Sequence, residues 1–373
     1  MWGSAELSEV KGARQVGRAS FGHPVTVLRF RIAGLSQIQN KGASCASSYI
    51  SLIVFNLALF VGLSLANAIW LQNSTVKVGP GLWFDGLTTT ASLVFFWVVL
   101  GALRYQTRRI ELKVGNTLRE IAGRLQALAL ALAAIVLFSA MLLLYSYLAT
   151  ATDRPLMDSY LASADAALGF DWVAYTQWLN KHPPIPSVIS MAYGSLQIQM
   201  LVLPAILAFK GRMDRLLEFV GYFGLSGILT CLVMTYVPAA GAFDFFHPSP
   251  NILTAFGPGA STRHLDQLHA LRELRSFLID RPEGLVTFPS FHSALAAIFV
   301  FSMRGIRFAM LPAIVVNALL ILATPPQGSH YLIDVIAGVA IAAMSAWVVG
   351  RVAGLSTHLS GTILLVRSRL WRS

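Results

Sequence analysis

The sequence predicts an all-α fold: a polytopic membrane helix bundle of about eight transmembrane helices, six of which form a core. Three observations predict it. Of 373 residues, 55% are hydrophobic and only 12% are charged, about half the charged share usual for a soluble domain. The apolar residues come in long runs rather than amphipathic stripes, the pattern of spans rather than of surface helices. The charged residues collect in the gaps between those runs.

The runs fall at about 49–71, 83–103, 125–149, 187–209, 216–237, 289–303, 308–323 and 331–350. The sixth is short for a hydrocarbon layer of about 30 Å, which recesses its functional end. Residues 1–48 read as a basic, partly disordered tail without the short basic region, apolar core and cleavage site of a signal peptide. The first span then serves as the targeting signal. Residues 49–124 read as an accessory two-helix hairpin followed by a charged loop at 104–124, residues 125–350 as the six-helix core, and 351–373 as a second basic tail. Two long outer connections interrupt the core. In the first, apolar spacing from Leu156 to Leu179 predicts one or two helices lying on the surface. In the second, a helix-like stretch runs from His264 to Ile279. Connections this long are usually functional.

Eight spans put both termini on one side, and that side carries 21 of the 28 Lys and Arg residues. Positive-inside bias makes it cytoplasmic in an inner or plasma membrane. The formal charge of +11 is therefore a topology signal and an attraction to anionic lipid. No motif or aromatic pattern accompanies it that would indicate nucleic-acid binding. Of the two cysteines, Cys45 falls just inside the membrane and Cys231 within the fifth span, so they are not expected to pair. Cys45 is a weak candidate for acylation.

Two short stretches then stand out on the extracytoplasmic side, each opening a span: Pro289-Ser290-Phe291-His292 and His330-Tyr331-Leu332-Ile333-Asp334. A spacing of four puts His330 and Asp334 on one helix face. A carboxylate there holds one imidazole nitrogen as N–H and leaves a lone pair on the other, which makes a nucleophile or base. Pro289 suits a first helical turn and Ser290 a cap, and helix N-termini cradle phosphate. The first stretch alone reads as ordinary capping beside an interfacial histidine, whereas the second competes only with a structural His–Asp pair that caps a helix. Their conjunction, with a basic loop directly upstream, favours a catalytic site. From that loop, Arg281 and Arg275 are expected to bind phosphate together with Ser290, and Arg272 and Arg263 are weaker candidates.

These blocks resemble the type-2 phosphatidic acid phosphatase and vanadium-haloperoxidase superfamily, whose motifs are Lys-x6-Arg-Pro, Pro-Ser-Gly-His and Ser-Arg-x5-His-x3-Asp. The branch containing inositol-phosphorylceramide synthases looks closer still, with Phe288-Pro289-Ser290-Phe291-His292 and His330-Tyr331-Leu332-Ile333-Asp334-Val335 standing for its two blocks. The chain departs from the pattern where Thr324 replaces the third-block Arg, Ala323 its Ser, and Leu274 the first-block Lys.

The resemblance implies a metal-independent phosphatase of membrane lipid phosphates, without cofactor. His330 would be the nucleophile, Asp334 its partner and His292 the acid and base. The alternative on the same residues is a phosphotransferase moving a phosphoryl headgroup to an alcohol. More distant readings are a metal site on His264, Asp266 and His269, a proton-coupled transporter and a vanadate-dependent oxidase.

Overall fold

The computed structural model describes residues 24–110, 113–256 and 262–370, with side chains described from Ser48 to Gly354 apart from Leu82, Pro250 and Arg263. The fold is an all-α polytopic membrane bundle. Helix α1 (Pro24–Gln72) leads through a short strand, β1 (Val76–Val78), to α2 (Pro80–Gln106). After a 3-10 turn at Thr107–Arg109 comes the long α3 (Lys113–Thr150). The outer segment then carries α4 (Asp158–Ala167) and α5 (Trp172–Asn180).

The chain returns through α6 (Pro184–Gly194), α7 (Leu196–Phe209) and α8 (Met213–Tyr236). A second outer segment holds α9 (Ala242–Phe246), α10 (Arg263–Arg272) and strand β2 (Phe277–Ile279). Helices α11 (Phe291–Ser302), α12 (Arg307–Gly328) and α13 (Leu332–Leu370) complete the bundle.

Among the described residues six helices are long and apolar enough to cross a membrane, within α1, α2, α3, α8, α12 and α13. The other two predicted spans differ in form. The span at 187–209 is a pair, α6 and α7, bent by 52°. The span at 289–303 is the 12-residue α11. At 1.5 Å per residue α11 is about 18 Å long, so it cannot reach both faces of a 30 Å layer. It lies instead among α7, α8, α12 and α13, where Phe299 stacks on Phe219 with ring centroids 6.0 Å apart.

Several expectations are corrected. The segment 104–124 is not an extended charged loop. Its Leu, Arg and Glu residues are good helix formers, and α3 already begins at Lys113. Helix α1 reaches back to Pro24, inside the predicted basic tail, and α13 continues to Leu370 in the other. Residues 1–23 and 371–373, and the side chains of Cys45 and Arg263, lie outside what is described. The stretch 264–279 is not one helix, because α10 ends at Arg272 and Leu274 takes a φ of 54° before β2.

Strands β1 and β2 pair in parallel, with Val76 opposite Phe277 and Val78 opposite Ile279. Three-residue strands carry no readable period, so this pairing has no signature in the sequence. It ties the outer end of the first hairpin to the loop preceding α11. The hairpin itself is engaged in the bundle: α1 packs along α13 and α8, and α2 along α3. Glycines allow the tight α3–α8 contact, since a Cβ at Gly227 would come within 2.3 Å of Leu142 and one at Gly224 within 2.8 Å of Phe138.

Candidate active site

The two motifs meet at the short helix. Ser290 is the N-cap of α11, and its Oγ accepts the Ser293 N–H at 3.3 Å. Pro289 lies before that cap rather than in the first turn. The Ser290 N–H donates to the Asp334 carbonyl at 3.0 Å, so the backbone of one motif is bonded to that of the other. Such an approach requires glycine on the facing helix. A Cβ at Gly338 of α13 would lie 2.2 Å from the Ser290 carbonyl oxygen.

His330 sits in the junction between α12 and α13. Ser329 caps α12 with a φ of 58°, a left-handed conformation uncommon for a residue with a Cβ. The His330 Nδ1–H donates to Asp334 Oδ2 at 3.2 Å, and the same oxygen accepts the Tyr331 N–H at 2.9 Å. Asp334 therefore caps its own helix from the first turn while holding the imidazole. Its Oδ1 is buried with no hydrogen-bond partner. His330 is only 2% exposed. Burial pushes its imidazole down to about 4, although the nearby Thr287 carbonyl acts the other way. At neutral pH the ring is uncharged, with one nitrogen committed to Asp334.

His292 faces this ring, with centroids 6.4 Å apart and planes at 60°. Its other side is covered by Tyr193 of α6, stacked with centroids 4.6 Å apart. Gly328 makes room for the group, because a Cβ there would lie 2.6 Å from His330 Cδ2 and 3.0 Å from Tyr193 Oη. His292 also closes the end of an apolar cavity of about 190 Å³ between α3 and α8.

The arginines stand elsewhere. Arg275 is exposed and lies 3.7 Å from Glu273. Arg281 lines a groove between α2 and α3. Arg272 bonds the Arg154 carbonyl, and its Nη1 is buried without a partner. Thr324, where the family pattern has Arg, is fully buried, and its hydroxyl bonds the Leu320 carbonyl. The structure thus brings together His330, Asp334, Ser290 and His292, and leaves the predicted Arg275 beside Glu273 and Arg281 in the α2–α3 groove.

Residues the sequence reading left without a role hold the site in place. Asp158 of α4 accepts the N–H groups of Ala240 and Gly241 at 2.9 and 2.8 Å, and the Tyr331 hydroxyl at 3.0 Å. Asp165, two turns along, accepts the Leu332 and Ile333 N–H groups at 2.8 Å each. It caps α13 from another helix. Burial raises the Asp165 carboxyl, and the two N–H donors hold it back down. The one available signal was spacing: two acids seven apart share a helix face in a segment otherwise read as lying on the surface.

Trp172 Nε1–H bonds the Pro325 carbonyl at 3.1 Å. His264 is buried and donates to the Ala240 carbonyl, and burial pushes it down to about 4, with His330 adding to the effect. His269 pairs with Asp244 at 3.0 Å. Among the described residues no three His, Cys, Asp or Glu side chains stand close enough to share a metal, so the His264, Asp266 and His269 grouping is not assembled.

A histidine–carboxylate pair facing a second histidine, on helix starts within a membrane bundle, offers a nucleophile and a proton carrier side by side. The family model of the PAP2 superfamily matches residues 159–348, which contain both motifs, and the chain belongs to that superfamily. Its members are phosphoesterases and phosphotransferases, and a phosphatase-type activity toward lipid phosphates follows in general terms. No curated protein and no solved structure matches the chain significantly.

Proposed function

We propose that this protein is a membrane lipid-phosphate phosphatase that works through a phosphohistidine on the extracytoplasmic face, without a metal. The observation that carries the reading is the facing pair of rings, 6.4 Å apart, one of them bonded to a buried carboxylate. A near-attack distance of about 3–3.5 Å and a hydrogen bond of about 3 Å suit one phosphoryl group between rings so spaced.

In this mechanism the ring nitrogen of His330 that is not bonded to Asp334 attacks phosphorus in line. The bond to the lipid oxygen breaks, and that oxygen leaves with the electron pair and takes a proton from His292. Asp334 balances the cationic imidazole of the intermediate, a role its unpartnered Oδ1 leaves it free to strengthen. Water then attacks phosphorus while His292 takes its proton, and the P–N bond breaks with its electron pair returning to His330, giving free phosphate. A phosphate dianion between the rings supplies the negative charge that lets His292 hold its proton. The N-terminal end of α11, capped by Ser290, stabilises the equatorial oxygens. Arg281 and Arg275 assist only if their loop closes over bound substrate.

Transfer to an alcohol is the second reading, favoured by the Phe288–His292 and His330–Val335 blocks. The test is purified protein supplied with lipid phosphates, diphosphates and phosphodiesters, with and without polyol acceptors. Phosphate release that resists EDTA and is blocked by vanadate supports the phosphatase. A new phospholipid formed only with acceptor supports transfer. A strict metal requirement contradicts the mechanism. Positive-inside charge supports the assigned side; a cysteine placed at the exposed Lys181 of the first outer connection that labels only after permeabilisation would overturn it.

A further inference from the structure

The cavity that His292 closes continues outward. Its wall includes Ser139 and Leu143 of α3, and those two residues also line the larger groove between α3 and α2. Ser139 is exposed, on the threshold between the two spaces. The groove holds about 850 Å³ and the cavity about 190 Å³. The groove's second wall is α2, a helix with only 6% of its span buried, which packs on α3 and little else. Its outer end is fixed against the loop before α11: Gly79 N–H donates to the Ile279 carbonyl at 2.9 Å, and a Cβ at Gly81 would lie 2.1 Å from the Asp280 carbonyl oxygen. The β1–β2 pairing brings the same two segments together.

We infer that the α2–α3 groove and the cavity behind Ser139 form the binding site for the hydrocarbon chain of the phosphorylated lipid, which enters sideways from the membrane with its phosphate end toward His292. This deepens the proposed function and rests on it for the nature of the headgroup. Three observations choose that occupant. The space lies between helices whose outer faces are apolar and exposed, where hydrocarbon is the solvent, and its charged lining, Asp85, Asp280 and Arg281, comes from the start of α2 and the loop before α11. Its inner part is lined by a histidine of the catalytic pair. The inner cavity is below the roughly 300 Å³ of a whole small-molecule site, so it holds only the part of a chain next to the phosphate and leaves the rest to the groove. The Thr230 hydroxyl, buried in the cavity wall with no hydrogen-bond partner, suits the polar link between chain and phosphate.

The test is Ser139→Trp, which fills the threshold, assayed on hexadecyl and hexyl phosphate in detergent. The ratio of kcat/KM for the long over the short substrate falls about tenfold, the worth of roughly two buried methylenes. Ala140→Trp, on the groove side, lowers the same ratio and stands in if the first variant does not fold. Leu201→Trp, an equal bulk on the exposed face of α7, keeps the wild-type ratio. An unchanged ratio in both α3 variants overturns the inference. Photolysis of a diazirine-bearing hexadecyl phosphate on His330→Ala protein reads the site without turnover. Adducts within 139–146 or 284–286, competed by hexadecyl phosphate, support it, and their absence overturns it. Adducts there, with no phosphate of any kind turned over by the wild type, would sink the proposed activity while leaving the chain site standing.

Discussion

The two histidines are held by opposite means. His330 is clamped by polar contacts: Asp334 on its ring, Asp158 on the neighbouring Tyr331 hydroxyl, and Asp165 on the first turn of the helix that follows. His292 has an aromatic ring on one side and an apolar cavity at its edge. The difference matches the proposed roles. A nucleophile must keep one tautomer and one aim through attack and release, which hydrogen bonds to a fixed carboxylate provide. An acid and base must exchange its proton with lipid oxygen and water, and a stacked ring restrains it without occupying its nitrogens.

Changes on the clamped side should therefore cost most. Asp334→Asn removes the charge that matches a cationic His330 and offers the ring the wrong partner, so kcat falls by about 10³-fold or more while KM stays within a few fold. Retention of near wild-type kcat by a folded Asp334→Asn protein breaks the comparison. Asp158→Asn comes next. An amide cannot accept from both the Ala240 and Gly241 N–H groups, and one buried donor left unpaired costs about 1–3 kcal/mol. Thermal denaturation in detergent should show that loss of stability, with kcat reduced because Tyr331 loses its anchor.

On the stacked side the effect is smaller. Tyr193→Leu keeps the bulk but loses a ring contact worth about 0.5–1.5 kcal/mol, a fall of at most about tenfold in kcat. A loss as large as that of Asp334→Asn would show that Tyr193 does more than restrain the ring.

The remaining prediction concerns pH rather than a substitution. His330 and His264, both pushed down to about 4 by burial, protonate near 6.5 once unfolded. Between those values the unfolded chain binds more protons. Folding stability therefore rises with pH across that window and is lost as pH falls from about 6.5 toward 4. His330 stays neutral in the same range, so the acid limb of kcat/KM for the free enzyme lies nearer pH 4 than 6.5. A limb at 6.5 would mean that the ring is better solvated than its burial indicates.

How far all this was legible in the sequence follows the length scale of each contact. His330 with Asp334, and Ser290 with His292, are pairs within one turn, so their spacing and the conjunction of two such helix starts made them visible. The apolar runs revealed the bundle, since crossing a membrane demands length and composition visible in one dimension. Asp158 and Asp165 work on groups 82 to 173 positions away, and no local pattern marks such a partner. Tyr193 reads as one more aromatic in an apolar run until α6 bends away from α7. Arg275 and Arg281 show the reverse error. Nearness in sequence to the motif suggested nearness in space, yet β2 and the turn after it carry Arg281 to the α2–α3 groove.

The central claim, that His330 makes the bond to phosphorus and His292 only moves the proton, is tested most directly with 4-nitrophenyl phosphate, whose leaving group needs no acid. Rapid mixing of His292→Ala and His330→Ala proteins with that substrate should give a burst of about one nitrophenolate per active site for the first, because phosphohistidine forms and then waits for water. It should give no burst for the second. A burst from the His330→Ala protein, or turnover that survives without that imidazole, would contradict the account.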